Sequence, residues 1–317
     1  MTHVARLYDL VMTHKLDADD FFIHRVQELC ARRNLNFFLV EPLWVEAFAE
    51  YLNKGEIRAK VLLNMHSEHH QPDEIYHRLV LLAHRKGVRV IDPPEVALAA
   101  FNKARVHARL AAAGLTVPHT IVVNREEISA FRLTDEARAG LGTPFVVKPA
   151  MGYGRRGVIL NATSEVDLQR SADAWADESY LLQRFVTPHR IGEDPAYFRV
   201  YFVFGSVWIS WWNCYTDRYR LVTEEEENRL GLGVMRGMIA AIAQVTGMQF
   251  FSSEFALTES NQFVVIDYVN DQCHLLTQTA SPHNGVPDGL VTAIAERLVD
   301  GAQQLMREPS PSFPPSP

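Results

Sequence analysis

The sequence predicts a mixed α/β fold of three lobes, and three observations predict it. The first 95 residues alternate short apolar runs with helical patterns, which implies a parallel α/β lobe. Residues 143–160, TPFVVKPAMGYGRRGVIL, set a glycine-rich loop between two strand-like runs and mark a small strand–loop–strand lobe. From residue 180 the chain turns to long aromatic strands with a helix between them, the pattern of a mostly antiparallel α+β lobe. The expected boundaries are 1–95, 96–180 and 181–307, with residues 308–317 as a disordered Pro/Ser tail that cannot form a packed element.

In the first lobe the strand candidates are VARLYDLV, NFFLVEP, KVLLNMH and VRVIDPP, several of them rich in branched or aromatic side chains. Helices are expected near residues 19–33, 44–52 and 73–86. Residues 94–114 read as one alanine-rich helix ending on Gly114. The strands HTIVV, FVVKP and GVILN follow, with a polar helical stretch between the first two. A helix then starts near Ser164, with Glu165 and Asp167 in its first turn, where acids suit the dipole. The last lobe takes YLLQRFV, YFRVYFVFGSVWISWWN, MQFFSSEFAL and NQFVVIDYV as strands, and helices over 224–246 and 289–307. Trp208, Trp211 and Trp212 fall on both faces of one strand, which favours packing over a ligand cage.

Composition narrows the function classes. At 317 residues the chain is too long for one small core, and 47% hydrophobic with 22% charged residues is ordinary for a globular protein of this size. A net charge of -7 gives no basic footprint for nucleic acid, so any anion must be held by a local cluster. Cys30, Cys214 and Cys273 are widely spaced and form no C-x-x-C, which argues for a reducing compartment and against disulfides or a zinc knuckle. No apolar leader follows Met1 and no run reaches about 18 apolar residues, so a cytoplasmic location without a membrane partner is expected. The cluster His66, Glu68, His69 and His70 lacks H-E-x-x-H spacing and reads as a solvated loop. Glu224–Glu227 reads as an exposed helix start.

The glycine loop carries a literal G-x-G-x-x-G at Gly152, Gly154 and Gly157. A dinucleotide fingerprint needs a helix directly after the loop, but Val158-Ile159-Leu160 is a strand-like run. A P-loop needs Lys-Ser or Lys-Thr after the glycines, which is absent. Protein kinases put the essential lysine on a later strand and carry His-Arg-Asp and Asp-Phe-Gly, neither of which occurs. Here Lys148 precedes the loop, interrupting an apolar strand. Glycines let backbone N–H groups approach phosphate closely, and Arg155 and Arg156 add charge at the tip.

Lys148 on the strand leading into a glycine lid resembles the ATP-grasp superfamily, and the resemblance covers most of the chain, to about residue 300. It implies that Lys103 and Lys148 are the two lysines that reach nucleotide phosphates, with Gly152, Tyr153, Gly154, Arg155, Arg156 and Gly157 as the phosphate lid. It implies that Gln183, Phe185 and Val186, in YLLQRFV, supply the adenine edge. Arg184 stands where the family often has Glu, and the ribose carboxylate, Asp194 or Glu193, is loosely spaced.

Arg199 lies on an apolar, aromatic strand and needs a partner there. The family carries Asp-x-Arg at this place, with the arginine on the γ-phosphate or an acyl phosphate, but the Asp position here is Tyr197. A structural salt bridge would also satisfy Arg199. Arg218 and Arg220 could clamp a substrate carboxylate or phosphate, or be plain surface. Glu254 lies inside a strand and Asp267 at the end of the next, so the two carboxylates can converge on Mg²⁺. The family motif there is Glu-x-Asn. The motif here, Asp-Tyr-Val-Asn, is one residue longer, which leaves Asn270 and Asp271 competing. Cys273 and His274 could line the acceptor pocket.

The resemblance implies an ATP-grasp fold of three lobes and an enzyme that uses ATP and Mg²⁺, two ions or Mn²⁺ in their place. The implied reaction joins a small-molecule carboxylate to an amine through an acyl phosphate, releasing ADP and phosphate. A small-molecule kinase of the inositol phosphate kinase kind, or a nucleotide-binding protein without turnover, are the alternatives. A homodimer is the expected assembly. The sequence names neither the carboxylate nor the amine.

Overall fold

The structure, a computed structural model, describes residues 5–14, 20–66, 73–152 and 154–308. Four strands, β1 (Arg6–Thr13), β2 (Phe37–Val40), β3 (Ile57–Asn64) and β4 (Arg89–Ile91), form a parallel sheet in the order β2-β1-β3-β4. Helices α1 (Asp20–Arg32), α2 (Val45–Lys54) and α3 (Ile75–Arg85) connect them. The strands alternate as a sheet buried on both faces must: Leu10, Met12, Val61 and Leu63 enter one core, Val11 and Leu62 the other. The second of these cores is closed by Phe48 and Leu52 of α2 and Leu79 and Val80 of α3.

The helix expected over 94–114 is two helices, α4 (Pro94–Phe101) and α5 (Lys103–Ala112). Asn102 breaks it: its backbone is extended (φ -75, ψ 97) and its side chain accepts from the Arg105 N–H, capping the second helix. Helical propensity thus yields to a cap, and Lys103 becomes the first residue of a helix. A central sheet, β5-β8-β6-β7, then combines β5 (Thr120–Asn124), β6 (Phe145–Pro149), β7 (Ile159–Ala162) and β8 (Ser179–Arg184), all antiparallel. Helices α6 (Asp135–Leu141) and α7 (Glu165–Ala174) pack on it around Leu141, Phe145, Leu168 and Tyr180.

Beyond a short hairpin, β9 (Arg190–Ile191) and β10 (Asp194–Pro195), come β11 (Tyr197–Val203), β12 (Ser206–Trp212) and β13 (Tyr219–Leu221). The run read as one strand, YFRVYFVFGSVWISWWN, is therefore a hairpin. Val203 pairs with Ser206 across Phe204-Gly205, both at positive φ (45 and 85), the geometry of a two-residue type I′ turn. After α8 (Glu224–Arg229) and α9 (Val234–Thr246), strands β14 (Phe250–Leu257) and β15 (Phe263–Asn270) complete an antiparallel sheet, β13-β12-β11-β14-β15, and α10 (Asp288–Arg307) ends the described chain. The helix expected over 224–246 is interrupted at residues 230–233, where Gly231 turns left-handed (φ 64). Residues 309–317 of the expected tail lie outside the described residues.

The two faces of this last sheet have different partners, and that decides where a site can form. Phe198, Val200, Ile209, Trp211 and Phe255 bury against α4, α5 and α9. Tyr197, Tyr201, Trp212, Tyr219 and Ala256 share a core with α1, α10 and the parallel sheet. Between these aromatics on the second face stand two polar residues, Arg199 and Glu254.

Candidate active site

Period-two alternation puts Arg199 on the same face as Tyr197 and Tyr201, and its register partner on β14 is Glu254. The next strand pairs Glu254 with Asp267. One row across β11, β14 and β15 therefore reads Arg199, Glu254, Asp267. The Arg199 guanidinium sits 2.8 Å from Glu254 Oε1 and 4.5 Å from the centre of the Trp212 ring, and Tyr197 donates to Glu254 Oε2 at 2.9 Å. Where the resembled family has an aspartate before the arginine, this chain puts a hydroxyl that holds the same carboxylate. Burial pushes the Glu254 carboxyl above its ordinary range; Arg199 opposes this and Asp267 adds to it. Arg199 Nε is buried and makes no hydrogen bond.

The longer Asp-Tyr-Val-Asn spacing has a structural answer. In a regular strand residues three apart face opposite sides, so Asp267 and Asn270 would diverge. The β14–β15 ladder pairs Glu254 with Asp267 but Ser252 with Asn270: two residues on β14 against three on β15. This β-bulge absorbs the extra residue and returns Asn270 to the face of Glu254 and Asp267. Asn270 is fixed there by its amide, which donates to the Ser252 carbonyl at 3.3 Å.

The central lobe brings Lys148 to the same row. Lys148, 8% exposed at the end of β6, donates to the Ile266 carbonyl at 3.1 Å and lies 4.0 Å from Asp267 Oδ1. Burial lowers its pKa, and Asp267 opposes that shift. Lys103, 9% exposed, donates from Nζ to the Gly152 carbonyl at 2.7 Å, at the root of the glycine loop. Its backbone N–H is tied to the Ala150 carbonyl, so the α5 terminus and the loop move as one.

Behind the lysines lies a buried polar network that the sequence reading missed. The Tyr268 hydroxyl accepts from Gln183 Nε2 at 2.7 Å and lies 2.6 Å from His107 Nδ1. Gln183 Nε2 also donates to Thr120 Oγ1 at 3.0 Å, which leaves Oε1 as the acceptor end of this side chain. His107 stands four residues after Lys103, on the same helical face. That spacing, with Tyr268 directly after Asp267, is the signal that could have found it. Phe185 and Val186, beyond the end of β8, are half-buried. Arg184 points away, donating to the Gly140 carbonyl on the outer side of the central lobe.

The lid is built to turn sharply. Gly154, Arg155 and Gly157 all have positive φ (58, 59 and 69). A Cβ at Gly157 would meet Trp175 Cβ at 2.7 Å and Pro149 Cγ at 2.9 Å, while its carbonyl accepts from Ser171 Oγ at 2.6 Å. Gly157→Ala is therefore expected to destabilise the seat of the lid by about 1–3 kcal/mol, read as a lower melting temperature and faster proteolysis within residues 150–158. An unchanged melt and cleavage rate would remove the close-approach argument. At the tip, Arg155 reaches across to Asp217 of the β12–β13 turn at 2.8 Å. Both side chains are exposed, so the bridge is worth at most about 1 kcal/mol. Arg156 lies 5.5 Å from the centre of the Trp175 ring. Tyr153 lies outside the described residues.

Other sequence candidates are not brought to the row. Arg220 pairs on β12 with Trp211, on the face opposite Arg199, and holds Glu226 at 2.9 Å. It ties down the first turn of α8, whose N-cap is Thr223. Arg218 is exposed in the β12–β13 turn, and Glu193 and Asp194 are exposed on the β9–β10 hairpin. Glu68, His69 and His70 lie outside the described residues; His66 packs edge-on to the Tyr76 ring.

Asp267 Oδ1 is buried and has no hydrogen-bond partner, an acceptor with nothing donating to it. Among the described residues no three His, Cys, Asp or Glu side chains gather into a cage. Two carboxylates and one amide suit Mg²⁺, which keeps water and phosphate oxygens as its remaining ligands. The residues fit the ion.

No protein-family model matches this sequence, and no curated protein does. Solved structures do. The chain is similar to the ATP-grasp ligase PsnB complexed with precursor peptide PsnA2 and AMPPNP, at 15% identity and TM-score 0.60, covering 96% of this chain and 100% of that one. It is similar to D-alanine–D-alanine ligase from Bacillus anthracis complexed with ATP, at 12% identity and TM-score 0.65, covering 97% and 100%. It is also similar to a RimK domain ATP-grasp protein from Sphaerobacter thermophilus, at 17% identity and TM-score 0.62, covering 93% and 99%. The chain has the ATP-grasp fold, as the resemblance carried by Lys148 and the glycine loop implied.

Proposed function

We propose that this protein is an ATP- and Mg²⁺-dependent ligase that joins a small carboxylate to an amine and releases ADP and phosphate. One observation carries the reading. Buried Lys148 of the central lobe meets a row of Arg199, Glu254 and Asp267 from the other sheet, and Lys103 of the linking helix stands near Lys148 at the root of the glycine loop. Cations gathered beside paired carboxylates suit a polyphosphate with its metal, and few other ligands. The likeness to D-alanine–D-alanine ligase and PsnB supports the same class.

In this reading Lys103, Lys148 and the N–H groups of the glycine loop neutralise phosphate oxygens, and Gln183 Oε1 takes the adenine amino group. Asp267, Glu254 and Asn270 would hold Mg²⁺, which when bound draws negative charge from the phosphates. A substrate carboxylate oxygen bonds to the γ-phosphorus and the bond to ADP breaks, giving an acyl phosphate. An amine then bonds to the acyl carbon and phosphate leaves. Arg199 lies in line with both carboxylates and steadies the transferring group, with Nε still free to donate. The lid excludes water, which would otherwise hydrolyse the acyl phosphate.

The test is turnover over pooled amino acids and small carboxylates with MgATP, reading ADP and free phosphate separately. Equal amounts of both, requiring a carboxylate and an amine together, are expected. ADP without phosphate would replace the ligase with a kinase acting on a hydroxyl. Failure to bind MgATP would end the assignment.

A further inference from the structure

Residues 271–287 leave β15, cross the face that carries Arg199 and reach β13, where Gln278 Nε2 donates to the Tyr219 carbonyl at 2.9 Å. Cys273 and Leu275 are buried beneath this segment, and His274 between them is exposed. The His274 ring lies nearly parallel to Tyr219, at 20° with centroids 6.1 Å apart. The Tyr219 hydroxyl in turn faces Arg199 and Tyr201. The imidazole is therefore one stacked ring removed from Arg199, at the outer end of the row.

Its tautomer is fixed by its partner. Nε2 lies 3.0 Å from the Asn284 carbonyl oxygen, which can only accept. Nε2 carries the hydrogen, so the neutral ring keeps its lone pair on Nδ1. The neighbouring groups offer no equivalent. Tyr219 of β13 and Tyr201 of β11 are phenols that burial holds above their ordinary range, and Cys273 on the same segment is raised likewise. Arg199 is a cation, and Glu254, ion-paired with it, belongs to the set that would hold Mg²⁺. Asp271, earlier on the segment, lies toward Asp92.

We propose that His274 is the general base for the amine, a role that rests on the ligase reading above. An amine acceptor reaches the site at neutral pH as an ammonium, which has no lone pair with which to attack. One proton passes from the ammonium to His274 Nδ1 and from there to solvent, which the exposed ring touches. The freed nitrogen lone pair bonds to the acyl carbon. The carbon–oxygen bond to phosphate breaks, and the second nitrogen proton leaves with the phosphate. The hydrogen bond to Asn284 holds the ring in the tautomer that can do this.

His274→Gln tests the role without removing the staple, because the glutamine amide can donate to the Asn284 carbonyl as Nε2 does but has no basic nitrogen. The full-length protein is assayed with MgATP and the twenty common amino acids, supplied both as carboxylates and as amines. Parallel reactions replace the amine with hydroxylamine, which is uncharged at neutral pH and needs no base. For the variant, amide formation is expected to fall about 10²-fold at neutral pH and to recover as pH rises toward the ammonium's own pKa, while hydroxamate formation stays at the wild-type rate. An equal fall in hydroxamate would assign His274 to holding the segment and overturn the base. Unchanged amide formation would overturn it too. If the wild-type protein gives no hydroxamate with any carboxylate, the ligase reading fails first and the base falls with it.

Discussion

Replacing Lys148 with methionine is expected to lower MgATP-dependent turnover by roughly 10²–10³-fold while leaving the fold in place. The argument is one of unused donors. A lysine ammonium has three, and Lys148 gives one to the Ile266 carbonyl at 3.1 Å. Its other neighbour, Asp267 Oδ1, is 4.0 Å away, beyond a hydrogen bond. A charge this buried and this sparsely bonded is unfavourable by itself, which is why burial lowers its pKa. An arriving phosphate would supply the missing acceptors. Methionine keeps the apolar stem and removes the ammonium, with its contact to the Tyr268 ring. The measurement is ADP release with melting followed in parallel. A variant that melts normally and turns over within tenfold of wild type would take Lys148 out of the mechanism.

The same lysine shows how much of the site was legible in the sequence. Lys148, Glu254 and Asp267 each interrupt an apolar strand, and a charge inside such a run needs a partner, so the primary sequence marks them. Which carboxylate meets which cation is a matter of register, and register is invisible without the partner strand. The Asp-Tyr-Val-Asn spacing looks like a defect in one strand and becomes an ordinary same-face arrangement once the bulge against Ser252 is known. Arg220 failed for the opposite reason. It directly follows Tyr219, and in a strand the next residue lies on the other face of the sheet. The two helices read as continuous, over 94–114 and 224–246, were legible as helix but not as breaks. The first break depends on one Asn side chain finding the Arg105 N–H, the second on a left-handed glycine. Tyr268, His107 and Gln183 come from three separate elements, and only the fold shows that they meet.

Asp267→Asn is the substitution expected to separate stability from function most sharply. Three facts bear on it. Asp267 Oδ1 is buried without a hydrogen-bond donor, Glu254 stands opposite it in the β14–β15 ladder, and burial, with the Asp267 charge adding to it, pushes the Glu254 carboxyl above its ordinary range. Without metal, the asparagine relieves that repulsion and at the same time removes a counter-charge from Lys148. The two effects oppose each other, so the melting temperature of the ligand-free variant is expected to stay within about 3 °C of wild type. With nucleotide the balance changes, because the site's purpose in this reading is to collect positive charge from Mg²⁺ and hand it to phosphate. An amide of the same shape cannot bridge cations as a carboxylate does. Turnover is expected to fall by about 10³-fold, and the stabilisation that Mg²⁺ and ATP together give the wild-type protein should vanish. Thermal melts with and without MgATP, set beside ADP release, decide it. If the variant is still stabilised by MgATP as strongly as wild type, the metal lies elsewhere, and the unpartnered oxygen of Asp267 must be explained by its distance to Lys148 alone.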